Sequence, residues 1–210
     1  VKRVRFMTSH PKDLSDELIE VMATEEKVCN HMHLPLQSGS SRLLKIMNRR
    51  YTKDDYLNLV EKLRIKNPDI AITTDIIVGF PGETDEDVDQ TIDLVKRAGF
   101  DNAFTFIYSK RTGTPAAAMD NQVPEEVVKK NFNRVLEAVQ ETAHSKTGRF
   151  MGEVVDVLVE EVSEHDSALL TGKTSQNTTV HFKGEESLIG KIVQVRLNEC
   201  KGFYYFGDKI

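Results

Sequence analysis

The stretch HMHLPLQSGSSRLLKIMNRRYT, residues 31–52, predicts the fold because it contains a strand, a loop and a helix in succession. Pro35 ends the predicted strand at residues 28–34, since proline has no N–H to donate to a strand ladder. The small polar run QSGSS follows at residues 37–41. Ligands of α/β barrels and sheets bind where strands end, so this loop is predicted to hydrogen-bond a sugar or a carboxylate. The alternative interpretation is a polar connecting loop before a solvated helix.

Strands and helices alternate through the first half of the chain. Strand patterns occur at residues 3–7, 28–34, 70–78 and 103–108, with helical patterns between them. Thr52 with Asp55, and Thr84 with Asp87, have capping-box spacing and predict two helix starts. Residues 70–78 are apolar and β-branched almost throughout, as in a parallel strand buried on both faces. This alternation predicts βαβ units, a parallel sheet of four strands and the α/β class.

A second pattern begins at Pro124, a residue that suits the first position of a helix. That helix is predicted to continue to about Lys146. Runs with a period near two follow at residues 154–160, 168–173, 178–182, 191–198 and 203–207. Five short strands separated by turn residues predict a small antiparallel barrel of the OB type. The predicted domains are therefore 1–147, an α/β unit with a linker helix, and 148–210, a β-barrel.

The composition indicates a globular protein and excludes several function classes. The chain has 210 residues, of which 39% are hydrophobic and 29% charged. No apolar run approaches the roughly 20 residues of a membrane span, so no membrane partner is predicted. Residues 1–150 contain 22 Lys and Arg against 23 Asp and Glu, and residues 151–210 contain 6 against 10. Any RNA contact must come from local basic patches, because the overall charge of −5 is weakly repulsive.

Cys29, His31 and His33 alternate along the predicted strand at residues 28–34, so their side chains share one face. One interpretation is a metal site on a C-x-H-x-H pattern. The favoured interpretation is polar residues in the interior or at the top of a barrel, because no further metal ligand is evident, and no metal site is predicted. Cys200 is the only other cysteine. Two cysteines suit a reducing cytosol, which disfavours a Cys29–Cys200 disulfide and predicts a cytoplasmic protein.

Four long motifs carry a family resemblance. They are RFMTSHPKDLSDELIE at residues 5–20, HLPLQSGSSRLLKIMNRRYT at 33–52, TTDIIVGFPGETDED at 73–87 and FTFIYSKRTGTPAA at 104–117. In this order they resemble the tRNA methylthiotransferases of the radical S-adenosylmethionine (SAM) superfamily, most of all the MiaB type. That type adds a methylthio group to C2 of N6-isopentenyladenosine beside the anticodon. The last sixty residues resemble the family's TRAM domain more weakly.

The resemblance implies a partial TIM-like (β/α)6 barrel followed by an OB-like TRAM barrel. The four predicted strands would be the third to sixth of the barrel. The family holds a reactive iron–sulfur cluster on a CxxxCxxC motif, which this sequence lacks. We therefore expect the C-terminal part of a longer enzyme, inactive alone, with SAM and [4Fe–4S] clusters as cofactors of the full-length enzyme and none bound to this chain. An open barrel edge would favour dimerisation of the isolated fragment.

The resemblance assigns site residues at the level of whole strands. The motif GFPGET at residues 79–84 is not a P-loop, and its glycines suit either a close backbone approach to a ligand or a tight turn. The predicted SAM-binding residues are His33, Gln37, Ser38, Ile77, Val78, Gly79, Phe106 and Tyr108.

The implied partner is a tRNA anticodon stem-loop, whose binding requires cations and stacking groups. The candidates are a predicted basic helix face of Arg42, Lys45, Arg49 and Arg50, then Lys110 and Arg111, and in the terminal domain Lys173, Phe182, Lys183, Lys201 and Phe203. For each of them the alternative is a solvated surface charge or a core aromatic. Two rival functions remain, a sister methylthiotransferase acting on N6-threonylcarbamoyladenosine or on a ribosomal-protein aspartate, and a non-catalytic RNA-binding module.

Overall fold

The first part of the protein is a parallel sheet with helices packed on one face. The computed structural model describes residues 1–7 and 10–210. The sheet order is β1 (His31–His33), β2 (Ala71–Val78) and β3 (Asn102–Ile107), and both pairs are parallel. The helices are α1 (Asp16–Thr24), α2 (Ser41–Ile46), α3 (Lys53–Lys66), α4 (Asp85–Ala98) and α5 (Glu125–Thr147). The α/β prediction is confirmed.

The helix starts follow the capping chemistry in the sequence. The Thr52 hydroxyl accepts from the Asp55 N–H, and the Asp55 carboxylate accepts from the Thr52 N–H. Thr84 and Asp87 form the same reciprocal box at the start of α4. Both predicted capping boxes are confirmed, since each depends on only four consecutive residues.

The predicted strand at residues 3–7 is wrong, so the sheet has three of the four predicted strands. Of residues 3–7, Val4 forms only an isolated parallel bridge to Val28. The physical reason is that the flanking arginines bind another part of the chain. The Arg3 guanidinium donates to the carbonyls of Lys173 and Asp156, both at 2.7 Å. The predicted loop at residues 8–11 falls partly outside the described residues, and Pro11–Asp13 form a 3-10 turn before α1.

The strand β2 is buried on one face and partly exposed on the other, which corrects the prediction of burial on both. Ile72, Thr74 and Ile76 face the helices and have 0% exposure. The alternate residues Asp75 and Ile77 are only half-buried. The register pairs Asp75 with Phe104 and Ile77 with Phe106, so these four residues share the open face of the sheet.

The terminal part is a closed five-stranded barrel. Its strands are β4 (Val154–Val162), β5 (Leu169–Lys173), β6 (Thr179–Lys183), β7 (Ile192–Cys200) and β8 (Tyr204–Lys209), in the order β4-β5-β6-β8-β7. All five predicted strands are present. The β6–β8 pair is parallel and the other pairs are antiparallel. The prediction of an antiparallel barrel is therefore wrong for this one pair of strands.

The barrel encloses its own apolar core. Val157, Val180, Val195 and Tyr205 have 0% exposure, and Phe182 has 1%. Phe182 therefore cannot stack on an RNA base, and its prediction as a stacking group is wrong. The reason is the strand alternation, which places Val180 and Phe182 inside the barrel.

No helix among the described residues is both long enough and apolar enough to cross a membrane. Cys29 and Cys200 are free thiols in different parts of the fold, so no disulfide joins them.

Candidate functional site

A cleft of about 850 Å³ opens at the carboxyl ends of β2 and β3. One wall is the turn at residues 46–49 and the other is the chain from Phe106 to Ala116. Four predicted cofactor-binding residues, Gln37, Ile77, Phe106 and Tyr108, line this cleft. Arg49 and Arg111, from the predicted RNA-binding set, also line it. The tertiary structure thus brings together six residues from three of the quoted motifs.

A buried hydroxyl group belongs to Tyr108, which lines the cleft. The Tyr108 hydroxyl oxygen is buried and has no hydrogen-bond partner among the described residues. The Tyr108 ring packs edge-on against Phe80, with the centroids 5.4 Å apart, and Phe80 also lines the cleft. A buried hydroxyl without a partner carries a desolvation cost that a ligand hydrogen bond would remove.

Two non-glycine residues at the cleft have left-handed backbones. Gln37 has φ 72° and Asn48 has φ 57°. The Gln37 N–H donates to the Asp75 carbonyl at 2.8 Å, and its carbonyl accepts from the Ile77 N–H at 2.9 Å. These bonds attach the segment after Pro35 to the edge of β2. Left-handed glutamine is unfavourable, and such residues concentrate at ligand sites when the surrounding structure holds them in place.

Three predicted cofactor-binding residues are engaged in structural contacts. The Val78 side chain is 1% exposed on the helix side, so only its backbone borders the open face. Gly79 has φ 81°, and its N–H donates to Glu83 Oε2 at 2.6 Å. A Cβ on Gly79 would lie 2.7 Å from a methyl of Val128. The Ser38 hydroxyl, fully buried, accepts from the Ser40 N–H at 3.2 Å. The contacts of Gly79 support the tight-turn interpretation of GFPGET.

A chain of hydrogen bonds leads from the base of the sheet toward the cleft. Thr73 Oγ1 lies 3.0 Å from both His31 Nε2 and His33 Nδ1. His33 Nε2 lies 3.3 Å from Asp75 Oδ2, and Asp75 lines the cleft. His33 is buried, and its contact with Asp75 connects it to the cleft. Its direct contact with the cofactor stays a prediction.

Burial lowers the pKa of His31 to about 4, and the charges of Arg5 and His33 act in the same direction. His31 is therefore neutral at physiological pH. Within the described ranges, residues 1–7 and 10–210, no group of three His, Cys, Asp or Glu side chains is arranged to hold a metal ion. His31 and His33 instead share Thr73 as a hydrogen-bond partner.

The polar loop after β1 is held against α4 by a buried carboxylate. Asp87 accepts hydrogen bonds from the Ser40 hydroxyl at 2.6 Å and from the Arg42 guanidinium. Burial alone would raise the pKa of Asp87, but the hydrogen bonds from Arg42, Ser40 and Thr84 hold it at about 2. Arg42 also donates to the Gly82 carbonyl at 2.7 Å. Arg42 therefore has a structural role, and its predicted RNA contact stays a prediction.

The predicted basic helix face is wrong in one respect, because α2 ends at Ile46. Asn48 adopts the left-handed conformation, and the Arg49 N–H donates back to the Leu44 carbonyl at 2.8 Å. This is a helix-ending motif in which asparagine substitutes for glycine. It removes Arg49 and Arg50 from the helix and places Arg49 on the cleft wall. Lys45, Arg50, Lys110 and Arg111 are exposed.

The predicted RNA-binding residues of the terminal barrel are dispersed. Lys173 is half-buried and donates to the Thr179 hydroxyl at 2.6 Å. Lys183 is exposed on β6, Lys201 pairs with Glu199, and Phe203 is 46% exposed in the turn before β8.

The sequence analysis missed an aromatic cluster on the outside of this barrel. His181 on β6 meets Tyr204 and Phe206 on β8, with ring centroids 5.4 to 5.7 Å apart. One part of this cluster could have been predicted. His181 lies between the core residues Val180 and Phe182, so strand alternation turns its side chain to the outside of the barrel. The pairing of β6 with β8 could not be derived from that alternation.

Comparison with known proteins agrees with this architecture. Residues 1–95 match the Radical SAM superfamily and residues 148–210 match the TRAM domain. The coproporphyrinogen III oxidase HemN of Escherichia coli, a radical SAM enzyme, aligns over 99% of this chain and 51% of its own, with TM-score 0.56 and 12% identity. That likeness supports the fold alone.

Sequence relatives are much closer. The tRNA-2-methylthio-N(6)-dimethylallyladenosine synthase of Lachnoclostridium phytofermentans is 58% identical over 99% of this chain and 46% of its own length. The enzyme of the same name from Acetivibrio thermocellus is 57% identical over 96% of this chain and 42% of its own length. The chain thus spans about half the length of these curated relatives. Its radical SAM segment, its TRAM domain and this identity show that the chain belongs to the MiaB-type family of radical SAM tRNA methylthiotransferases.

Proposed function

We propose that this chain is the part of a tRNA methylthiotransferase that binds the adenosine portion of SAM and the target loop of the tRNA. The observation that carries the proposal is the cleft at the strand ends. Ile77 and Phe106 line it with apolar side chains, and Arg49 and Arg111 line it with cations. Tyr108 also lines it, and its buried hydroxyl has no hydrogen-bond partner among the described residues. The names of the relatives extend the proposal to N6-dimethylallyladenosine as the modified base.

The cleft residues fit the adenosine portion of SAM. Ile77 and Phe106 supply apolar surface for a flat base, and Tyr108 supplies a buried hydroxyl. Gln37, held in a left-handed conformation, places its side chain where a ribose could be bound. SAM bound in this cleft would supply the radical chemistry that activates C2 of the target adenine. The role of the chain's own residues is to orient that cofactor and to exclude water from it.

The residues of this chain do not fit an iron–sulfur cluster. Cys29 is buried beside β1, and Cys200 ends a strand of the terminal barrel, so no thiolate lines the cleft. A four-iron cluster requires several convergent thiolates. We therefore propose that the cluster ligands of the full enzyme are supplied by other residues, and we expect no methylthiolation from this chain alone.

The binding experiment uses an anticodon stem-loop RNA with and without the dimethylallyl group on the target adenosine. We expect the chain to bind both, with higher affinity for the modified loop and lower affinity as salt rises. Equal affinity for both loops would favour a non-catalytic RNA-binding module. No binding by a folded chain would contradict the proposal that this part recognises the RNA.

We further propose a cytoplasmic location, where tRNA is modified, and self-association of the isolated chain. The edge strand β3 exposes Phe104 and Phe106 on its open face by 50% and 52%, and Ile107 at its end by 49%. Exposed apolar sheet surface of this kind favours pairing with another copy. Sedimentation velocity over a tenfold concentration range tests this, and a monomer throughout would contradict it.

A further inference from the structure

One carboxylate lies among apolar side chains on the open face of the sheet. Asp75 of β2 is two residues before Ile77 on the same face and is paired with Phe104 of β3. The Asp75 side chain is 27% exposed and lines the cleft, and the neighbouring Phe104 is 50% exposed. Because a partly buried charge costs desolvation energy unless it is bonded, the partners of Asp75 indicate what the cleft can bind.

Both the main chain and the side chain of Asp75 are held in place. The Gln37 N–H donates to the Asp75 carbonyl at 2.8 Å. His33 Nε2 lies 3.3 Å from Asp75 Oδ2, and it must be the donor because an ionised carboxylate only accepts. No donor among the described residues bonds the second oxygen, Oδ1. Asp75 therefore has one oxygen that the protein holds and one that a ligand can use.

The residues behind His33 orient its ring toward Asp75. Thr73 Oγ1 lies 3.0 Å from both His33 Nδ1 and His31 Nε2. The Nε2–H of neutral His33 is donated to Asp75, so Nδ1 accepts the Thr73 hydroxyl proton. The Thr73 oxygen in turn accepts from His31 Nε2, which leaves His31 Nδ1 as a lone pair. That buried nitrogen has no partner among the described residues, and the charge of Arg5 favours a lone pair over an N–H, so all three hydrogen bonds point toward Asp75.

The second oxygen of Asp75 requires a ligand that donates a hydrogen bond. The surrounding surface is apolar, with Ile77 and Phe106 in the row toward the strand ends and Phe104 beside the carboxylate. The proposed adenosine portion of SAM occupies the row of Ile77 and Phe106. A second ligand at the row of Asp75 and Phe104 should therefore present an N–H directly beside an apolar group. N6-dimethylallyladenosine has this chemistry, because its N6 carries one hydrogen and a branched alkenyl chain.

The charge of Asp75 also disfavours one of the rival substrates. An aspartate side chain, on which a sister methylthiotransferase acts, offers acceptors and a negative charge and has no hydrogen-bond donor. Beside Asp75, such a carboxylate would be repelled and would leave Oδ1 without a donor. Asp75 thus favours a nucleobase with an exocyclic N–H over an acidic side chain.

We propose that Asp75 is a specificity-determining residue that accepts a hydrogen bond from N6–H of the target adenosine, with the dimethylallyl group against Phe104. His33 is a positioning residue that acts through Asp75. This inference rests on the proposed function, because it identifies how the same cleft recognises the base that is modified.

The first test changes the RNA and leaves the protein intact. Two labelled anticodon stem-loops carry the dimethylallyl group on the target base, one through N6–H and one through an ether oxygen in its place. Fluorescence anisotropy measures the affinity of the whole chain for each loop. We expect the wild-type chain to bind the ether loop about tenfold more weakly, because Asp75 then faces an acceptor in place of a donor. Equal affinities for the two loops would overturn this inference alone, whereas no binding of either loop would overturn the proposed function as well.

Variants of the protein complete a thermodynamic cycle with the two loops. Asp75→Leu removes the acceptor, so its affinities for the two loops should be equal. The matched control is Asp54→Leu, an exposed carboxylate on α3, which should keep the wild-type preference for the N6–H loop. A wild-type preference retained by Asp75→Leu would overturn the assignment of Asp75. Because the cycle compares two RNAs on one variant, a general loss of RNA affinity does not affect it.

The role of His33 is tested by rescue with a conservative variant. His33→Leu removes the donor to Asp75, so its preference for the N6–H loop should be smaller than that of the wild-type chain. His33→Gln retains a side-chain N–H that can donate to Asp75 and should restore most of the preference. Equal preferences in the wild-type chain, His33→Leu and His33→Gln would overturn the positioning role.

Discussion

The two halves of the molecule use their strands in opposite ways. In the three-stranded sheet, β2 packs one face against helices and leaves Asp75 and Ile77 partly exposed on the other. In the terminal barrel, the closed strand order encloses an apolar core that includes Val157 and Tyr205. An open sheet can hold a ligand on its inner face and strand ends, whereas a closed small barrel can bind one only on its outer surface.

The two halves also differ in the polar groups that they bury. The sheet half buries His31, His33 and Asp87, each with hydrogen-bond partners. The core of the barrel is a cluster of apolar side chains and one tyrosine. We therefore expect loss of core volume to act most strongly on the barrel and pH to act most strongly on the sheet.

The largest expected effect comes from a cavity in the closed core. Phe182→Ala should lower the free energy of unfolding of the barrel by about 3–5 kcal/mol, because a fully buried ring is removed. Phe203→Ala, in the exposed turn of the same domain, should change it by less than about 0.5 kcal/mol. Urea denaturation followed by circular dichroism measures both. An equal loss of unfolding free energy in the two variants would contradict the distinction between a core ring and a surface ring.

The second effect is acid sensitivity of the sheet through His31. Burial lowers the pKa of this imidazole from its ordinary value of 6.5 to about 4. Because the unfolded chain binds this proton more readily, His31 contributes stability above pH 6.5 that is lost as pH falls toward 4. The loss is up to about 3 kcal/mol.

Unfolding curves between pH 7 and pH 4 measure this loss. His31→Gln should flatten the dependence, whereas His165→Gln, on the exposed surface of the barrel, should leave it unchanged. A wild-type chain with no loss of stability across this range would contradict the buried neutral state of His31.

The third effect concerns the attachment of the polar loop to α4. Asp87→Asn should lower the free energy of unfolding by about 2 kcal/mol, because Arg42 and Ser40 lose a charged acceptor. Since the folded pKa of Asp87 is held at about 2, its contribution is present above pH 4 and lost as pH falls toward 2. Thermal unfolding at pH 7 and pH 3 checks both statements. Glu86→Gln, in the same helical turn but exposed, is the control.

The smallest expected effect compares two rings on one strand face. Phe106 lines the cleft and Phe104, one row below, does not. Phe106→Ala should weaken binding of adenosine to the chain about tenfold, equal to about 1.4 kcal/mol. Phe104→Ala should change it little. Saturation-transfer NMR detects such weak binding. Equal losses for the two variants would place the adenosine elsewhere on the open face.

Local features of the sequence predicted much of the fold. The capping boxes at Thr52 and Thr84 and the five strands of the barrel are correct because each depends on a few neighbouring residues. The strand at residues 3–7 failed because Arg3 binds a carbonyl 170 residues away, which no local pattern shows. Arg49 lies on the cleft rather than on the helix because Asn48 turns the chain.

The candidate site was predicted in part. Gln37, Ile77, Phe106 and Tyr108 were assigned through the family resemblance, and the structure places all four on one cleft. Their common position depends on the parallel register of the sheet, which aligns strand ends from distant segments. The sequence did not reveal that the Tyr108 hydroxyl lacks a partner among the described residues, because that depends on everything packed around it.

By itself, the sequence determined the order of elements, the family and the residue types available for chemistry, because motifs and periodicity are properties of neighbouring residues. Only the tertiary structure decided which side chains are free to act. It buried Phe182, paired Arg42 with Asp87 and brought His181 together with Tyr204 and Phe206. The physical reason is that burial and pairing depend on contacts between segments far apart in the chain, and those contacts form only when the sheet and the barrel close.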